Sequence, residues 1–101
     1  MKMIYCTGNI EILEDLRKNL TDLKIQSYQI HDRVLANSEK SDPRLDNQVW
    51  PGHNFSIFIQ VADADKIKKI KKMIKNMNTD SRGEKDLISC YLWKIDNLIV
   101  D

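Results

Sequence analysis

Apolar residues recur along this chain with two different spacings, and each spacing predicts one kind of element. Apolar and polar positions alternate in residues 25–34 and 55–61, which predicts strands. Residues 2–6 and 87–95 are short β-compatible runs with apolar residues on both faces, and we expect strands there too. Apolar positions recur every three to four residues in segments 10–23 and 64–75, which predicts helices. The resulting order of elements is βαββαβ. With right-handed crossovers, a chain of this order forms the ferredoxin-like arrangement of the α+β class, a four-stranded antiparallel sheet with two helices on one face.

The start of each predicted helix carries side chains that can cap it. Thr7-Gly8-Asn9 forms a turn between the first strand and the first helix, where Thr7 or Asn9 can accept hydrogen bonds from the first free N–H groups. Asp63 and Asp65 lie at the start of the second helix, near the positive end of its dipole. Both helices are therefore delimited by sequence signals as well as by periodicity.

A long polar connection, residues 36–48, separates the second and third predicted strands. It is rich in Asn, Asp and Ser, a composition that predicts a mobile loop. It ends at Val49-Trp50-Pro51-Gly52-His53-Asn54, where proline fixes φ and glycine permits a positive φ, so we expect a sharp reversal. In a domain of this size, such a connection is typical of a functional or a disordered segment.

Composition narrows the classes of function. The chain of 101 residues, 42% hydrophobic and 31% charged, predicts one globular domain spanning residues 1–101, and its net charge of +1 gives no field that would attract nucleic acid or a membrane. Segment 66–75 is rich in lysine, but we expect its lysines on the solvated face of a helix, and the aromatic strand motif of RNA-binding sheets is missing from the sequence. No apolar run approaches the roughly 20 residues that span a bilayer, and the N-terminus does not resemble a signal peptide, so we expect a cytoplasmic protein.

The predicted sheet has apolar residues on both of its faces, for example Tyr5 opposed to Cys6 and Tyr91 opposed to Cys90. Two helices cover only one face of such a sheet. An uncovered apolar face of this size is an association surface, so we expect a homo-oligomer.

Few residues suggest chemistry. The sequence has no catalytic motif that stands out from its surface charge, so we do not expect an enzyme. Ser81-Arg82-Gly83-Glu84-Lys85 offers two cations and backbone N–H groups to an anion, although an ordinary connection with two surface cations is the simpler interpretation.

Candidate metal ligands are few and scattered. No pair among His31, His53, Cys6 and Cys90 has the spacing of metal ligands in sequence. Cys6 and Cys90 lie on the first and last strands, which are neighbours in this arrangement, so their side chains can meet; two small core residues is the simpler interpretation. His53, at the end of the polar connection, is a candidate for contact with a ligand.

The element order and one motif resemble the PII-like superfamily of small trimeric signalling proteins. The resemblance is carried by Tyr28-Gln29-Ile30 before the long connection, by Phe55-Ser56-Ile57-Phe58-Ile59-Gln60-Val61 after it, and most specifically by Pro43-Arg44-Leu45-Asp46-Asn47-Gln48-Val49-Trp50-Pro51-Gly52-His53-Asn54. It implies a homotrimer whose sheets face a central axis. It also implies a T-loop-like segment within residues 36–54 and a B-loop-like segment at residues 78–86, with ATP, ADP or AMP as candidate ligands between subunits.

Three hypotheses follow. In the first, the chain is a PII-like trimeric regulator that senses a small anionic ligand at subunit clefts and acts on a target protein through residues 36–48. Arg82, Gly83 and Lys85 then contact the anion, while Trp50 and His53 shape the base of the loop. The second is a CutA-like trimeric metal-binding protein that uses His53 or a thiol, and the third is an ACT-like domain that binds an amino acid.

Overall fold

A computed structural model describes residues 1–39, 41–80 and 87–100. In chain order, its strands and helices are β1 (Lys2–Asn9), α1 (Leu13–Asp22), β2 (Tyr28–Val34), β3 (Ala36–Ser38), β4 (Ser41–Arg44), β5 (Asn54–Val61), α2 (Ala64–Thr79) and β6 (Ser89–Lys94). A short 3-10 turn at Ile10–Ile12 leads from β1 into α1.

Strands β2, β5, β1 and β6 form one antiparallel sheet in that order. The central strands β1 and β5 pair from Lys2↔Val61 to Asn9↔Asn54. Strand β6 pairs with the other edge of β1, and β2 pairs with the other edge of β5. With its two helices, this sheet confirms the predicted ferredoxin-like α+β fold.

The core lies between the helices and one face of the sheet. The predicted stripes supply it: Leu16 and Leu20 from α1 and Ile70 from α2 are fully buried, and Phe55, Ile57 and Ile59 of β5 pack against them. Burial of each such side chain contributes roughly 1.5–3 kcal/mol through removal of apolar surface from water. Neither helix in the described part of the chain is long and apolar enough to cross a membrane.

Strand β1 is longer than the sequence predicted. The expected turn at Thr7-Gly8-Asn9 is wrong, because all three residues pair with β5 and the Thr7 hydroxyl donates to the Phe55 carbonyl at 2.8 Å. A Cβ at Gly8 would lie 3.4 Å from the Phe55 ring, about an ordinary van der Waals contact, so the strand conformation here does not depend on the glycine. Asn9 does act as a cap: its side-chain oxygen accepts from Glu11 N at 3.1 Å.

Strand β2 begins three residues later than predicted, because α1 ends in a Schellman motif. Lys24 adopts a left-handed φ of 59°, Lys24 N donates to the Thr21 carbonyl, and Ile25 N donates to the Leu20 carbonyl. This position usually holds glycine, and the lysine concealed the signal. Ile25 is buried at the end of the motif, so it joins the core without belonging to a strand.

Helix α2 runs one turn beyond the prediction. The periodicity predicted a helix over residues 64–75, but the helix continues to Thr79, whose hydroxyl donates to the Lys75 carbonyl. Asp63 caps its start as predicted, accepting from Asp65 N at 2.8 Å and from Lys66 N at 3.4 Å. The polar composition of the last turn had suggested a loop, yet polar residues suit a helix end that faces solvent.

The connection at residues 36–48 contains regular structure that the sequence did not reveal. Strands β3 and β4 form a separate two-stranded sheet, and none of their described residues is buried. The hydroxyls of Ser38 and Ser41 lie 2.9 Å apart at its tip. Pro43 fits because no other strand of the described chain pairs with either strand of this sheet. The prediction of an unstructured loop is therefore wrong. Its mobility stays a prediction, supported by the marginal stability of isolated hairpins.

Candidate functional site

The turn between β4 and β5 is closed by its own backbone. Leu45 N and Asn47 N both donate to the Trp50 carbonyl, at 3.1 and 3.2 Å, and Asp46 N donates to the Gly52 carbonyl at 2.9 Å. Trp50 N in turn donates to the Asn47 side chain at 2.7 Å. Gly52 has a φ of +84°, which is the predicted positive value. The turn therefore holds the hairpin β3–β4 in a defined place at the edge of the sheet.

Trp50 and His53, the two predicted residues of this region, contribute in different ways. The Trp50 side chain is exposed, so the residue shapes the turn through its backbone carbonyl and amide. The His53 carbonyl accepts from Ile10 N at 3.1 Å, which ties the turn to the start of the first helical segment. His53 Nδ1 is buried 3.9 Å from Asp46 Oδ1 and has no hydrogen-bond partner among the described residues.

Two polar contacts that the sequence did not suggest brace the same turn. Arg33 Nε donates to Asp46 Oδ2 at 2.8 Å, which joins the end of β2 to the turn. Arg44 Nη1 donates to Asn54 Oδ1 at 2.9 Å, which joins the end of β4 to the start of β5. Because the Arg33 side chain is 63% exposed, its ion pair is worth at most about 1 kcal/mol and serves orientation more than stability.

An open cleft of about 620 Å³ adjoins His53 between the first helical segment and β2. Ile10, Leu13 and Ile30 form its apolar part, while its charged side chains are Glu14, Arg17 and Asp32. The Arg17 guanidinium also contacts Glu14 at 3.1 Å. Apolar and charged groups of both signs thus converge beside the turn, at the outer edge of the sheet.

The other predicted ligand residues, Arg82, Gly83 and Lys85, lie outside the described residues. The residues described on either side of them, in α2 and before β6, are in direct contact. Asn78 Oδ1 accepts from Ile88 N at 2.7 Å, and Asn78 Nδ2 donates to the Ile88 carbonyl at 3.0 Å. The side-chain amide thereby pairs with the backbone as a neighbouring strand would, and it fixes the distance between α2 and the start of β6. Sequence spacing alone gave no signal of this pairing.

The sheet face opposite the helices carries a row of rings across all four strands. The row runs His31, Phe58, Tyr5, Tyr91, with ring centroids 6.1, 4.8 and 5.8 Å apart. His31 Nδ1 also lies 3.3 Å from the Ser56 hydroxyl. Tyr91 is 56% exposed, and Trp93 on the same strand is 46% exposed. This face is therefore aromatic at its centre and partly open to solvent.

The third feature is a pair of cysteines on the face of the sheet that the helices cover. Cys6 and Cys90 are direct partners in the β1–β6 register, and Cys6 Sγ donates to Cys90 Sγ at 3.5 Å. This hydrogen bond and burial raise the pKa of Cys6, while the same bond and the charge of Lys71 lower the pKa of Cys90. The described residues contain no group of three or more His, Cys, Asp or Glu side chains that could hold a metal ion.

Comparison with known proteins identifies the fold. No family model matches the chain, and no curated protein matches it. Among solved structures, it is similar to a candidate PII-like signaling protein from Thermus thermophilus, with a TM-score of 0.59 and 13% sequence identity. The match covers 91% of this chain and 83% of that one. The chain therefore has a PII-like fold. The Trp-Pro-Gly run remains a resemblance of sequence.

Replacement of Gly52 tests whether the turn is held in the conformation described. Nothing lies within 4 Å of a Cβ built at Gly52, so Gly52→Ala introduces backbone strain at positive φ without a clash. We expect a loss of about 1–2 kcal/mol, seen as a melting temperature lower by roughly 5–10 °C.

Gly52→Asn is the matched control, because asparagine tolerates the left-handed region better than alanine does. It is expected to lose about half as much stability. An alanine variant as stable as the wild-type protein would contradict the closed turn.

Proposed function

We propose that this chain is a PII-like trimeric regulatory protein that senses a small anionic ligand at subunit clefts and acts on a partner protein through its hairpin. The observation that carries this proposal is the exposed β3–β4 hairpin, fixed by the closed turn beside an open cleft, in a PII-like fold. The role proposed is regulation, not catalysis.

The aromatic face of the sheet supports self-association. A row of partly exposed rings that spans four strands is the kind of surface that a second copy of a chain covers. A depression of about 460 Å³ on this face, beside Phe58 and His31, offers room for side chains of a neighbouring subunit. The trimer is the assembly that the resemblance to PII-like proteins implies.

The proposed ligand is small and anionic, with ATP, ADP and AMP as candidates. Arg82 and Lys85 supply positive charge, and Gly83 allows close approach of backbone N–H groups. The Asn78–Ile88 pairing supports this assignment, since it brings the chain on either side of these residues together. In this proposal Trp50 and His53 act at the base of the hairpin, where they link ligand binding to the position of the hairpin.

The hairpin suits contact with a target protein. Its described residues are at most partly buried, so docking on a partner requires no loss of core packing. Its position follows from contacts of Arg33 and Arg44 with the turn and the start of β5. These contacts, together with His53, form a short path between the cleft and the hairpin, so a ligand that binds in the cleft can change the position of the hairpin.

A charge on the aromatic face tests the trimer. We expect the wild-type protein at micromolar concentration to show three times the 11.8 kDa chain mass by light scattering. Tyr91→Glu should shift the mass towards a single chain, because the interface would bury an unpaired carboxylate. Lys72→Glu, on the exposed side of α2, is the control and should leave the trimer intact. A wild-type protein that is a monodisperse monomer under these conditions would contradict the proposed trimer.

Thermal shift tests the ligand. A ligand at a hundred times its Kd stabilises a protein by about 2.7 kcal/mol, which for a domain of this size raises the melting temperature by roughly 10 °C or more. We expect such a shift with at least one of ATP, ADP, AMP and the cyclic nucleotides at millimolar concentration. It should be lost in the Arg82→Ala, Lys85→Ala double variant and kept in Lys72→Ala. Unchanged midpoints with every nucleotide would refute the nucleotide assignment.

Metal binding of the CutA-like kind is the second candidate, and one observation favours it. His53 Nδ1 is buried near the Asp46 carboxylate without a hydrogen-bond partner among the described residues. A protein treated with chelator and then given Cu²⁺ or Zn²⁺ should show a rise in melting temperature that His53→Ala abolishes. A rise that survives in His53→Ala, or the lack of any rise, counts against this function.

A further inference from the structure

The two cysteines face each other across the helix-covered side of the sheet. They form one register pair of β1 and β6, their sulfur atoms lie 3.5 Å apart, and both are free thiols. We infer that this pair is a reversible modification site, at which a hydroperoxide oxidises the two thiols to a Cys6–Cys90 disulfide. The inference does not rest on the proposed function, because it uses neither the hairpin nor the ligand residues.

The backbone already meets the geometric requirement for a disulfide. Residues directly opposite each other in an antiparallel pair have Cα atoms about 4.5 or 5.5 Å apart, and a disulfide accepts roughly 4.4–6.8 Å. The register of β1 and β6 is continuous from Lys2↔Lys94 to Thr7↔Ser89, so the cysteines are held in place on both sides. Rotation about the side-chain bonds can then bring the sulfur atoms from 3.5 Å to the bonded distance of about 2.05 Å.

The two thiols differ in access and acidity, which assigns their roles. Cys6 is fully buried, whereas Cys90 is only partly buried. Donation from Cys6 and the charge of Lys71 lower the pKa of Cys90 and favour its thiolate, while the hydrogen bond to Cys90 and burial raise the pKa of Cys6 and keep it protonated. Because the thiolate is the nucleophile, Cys90 is the sulfur that meets the oxidant and Cys6 is the resolving thiol.

The reaction balances in two steps. The Cys90 thiolate attacks one peroxide oxygen, so that an S–O bond forms and the O–O bond breaks; the departing alkoxide takes up a proton and leaves as an alcohol, or as water when the oxidant is hydrogen peroxide. Cys6 sulfur then attacks Cys90 sulfur, the S–S bond forms, and hydroxide leaves as water with the proton from Cys6. Two electrons pass from the thiols to the peroxide, and a dithiol reductant returns them by exchange.

The bond would join the first and last strands of the sheet, 84 residues apart in sequence. Strand β6 lies at an edge of the sheet and pairs there with β1, so the disulfide fixes its attachment. Reversible disulfides of this kind serve redox sensing in reducing compartments. The pair lies on the face opposite the aromatic row, so association through that row does not cover the partly exposed Cys90.

The test uses the full-length protein, reduced and then treated with a small excess of hydrogen peroxide before alkylation. The expected product has lost about 2 Da, the mass of two hydrogen atoms, carries no alkyl group, and yields a peptide that links Cys6 to Cys90. Its melting temperature should rise by roughly 10 °C or more, since the bond closes a long loop in the unfolded chain. Dithiothreitol should restore both thiols and the original midpoint.

Two variants separate the roles of the thiols. Cys6→Ser should leave a Cys90 sulfenic acid that a dimedone probe traps, and Cys90→Ser should leave Cys6 unreacted at the same dose of peroxide. If the Cys6→Ser variant fails to fold, the mass, linked peptide and melting temperature of the oxidised wild-type protein still decide whether the disulfide forms. Two alkylated thiols after oxidation, a bond between Cys90 residues of two chains, or a Cys90 sulfinic acid beside a free Cys6 would each overturn the inference.

Discussion

The pairing of β1 with β5 along their whole length is the constraint on which the rest of this structure depends. Eight residue pairs run from Lys2↔Val61 to Asn9↔Asn54 without a shift in register. Because side chains alternate across a strand, this pairing places Ile4 with the core and Tyr5 beside Phe58 on the open face. A slip of one residue would exchange the two faces. The helix-covered core and the aromatic row are thus two results of one register.

The same pair of strands carries the turn and the hairpin. Where β1 ends, the Thr7 hydroxyl binds the Phe55 carbonyl, and Ile10 N binds the His53 carbonyl immediately before β5. These two contacts join the end of β1 to the start of β5 and to the residue before it, where the closed turn ends. None of the described residues of β3 and β4 is buried, so the geometry of the hairpin can respond to a ligand or a partner at little cost to folding.

Features set by local chemistry were predictable from the sequence, and features set by distant partners were not. Periodicity predicted the four sheet strands and both helices, and Asn9 and Asp63 cap as expected. The short strands β3 and β4 lack an apolar alternation, so their pairing was missed. The Arg33–Asp46 and Asn78–Ile88 contacts join residues that only the folded chain brings together. For the same reason, the sequence predicted that Cys6 and Cys90 lie on neighbouring strands, but it did not predict that their sulfur atoms are in contact.

Neighbouring residues of β6 link the two faces of the sheet. Cys90 faces Cys6 beneath the helices, while the adjacent Tyr91 stands beside Tyr5 on the aromatic face. If association presses Tyr91 and Trp93 against another subunit, it also holds β6 in register with β1, and that register is the geometry the disulfide needs. Linkage between equilibria is reciprocal, so a disulfide that fixes β6 would favour association by the same factor. The oxidation of the thiols and the assembly of subunits are therefore expected to be coupled through a single edge strand, without contact between the two sites.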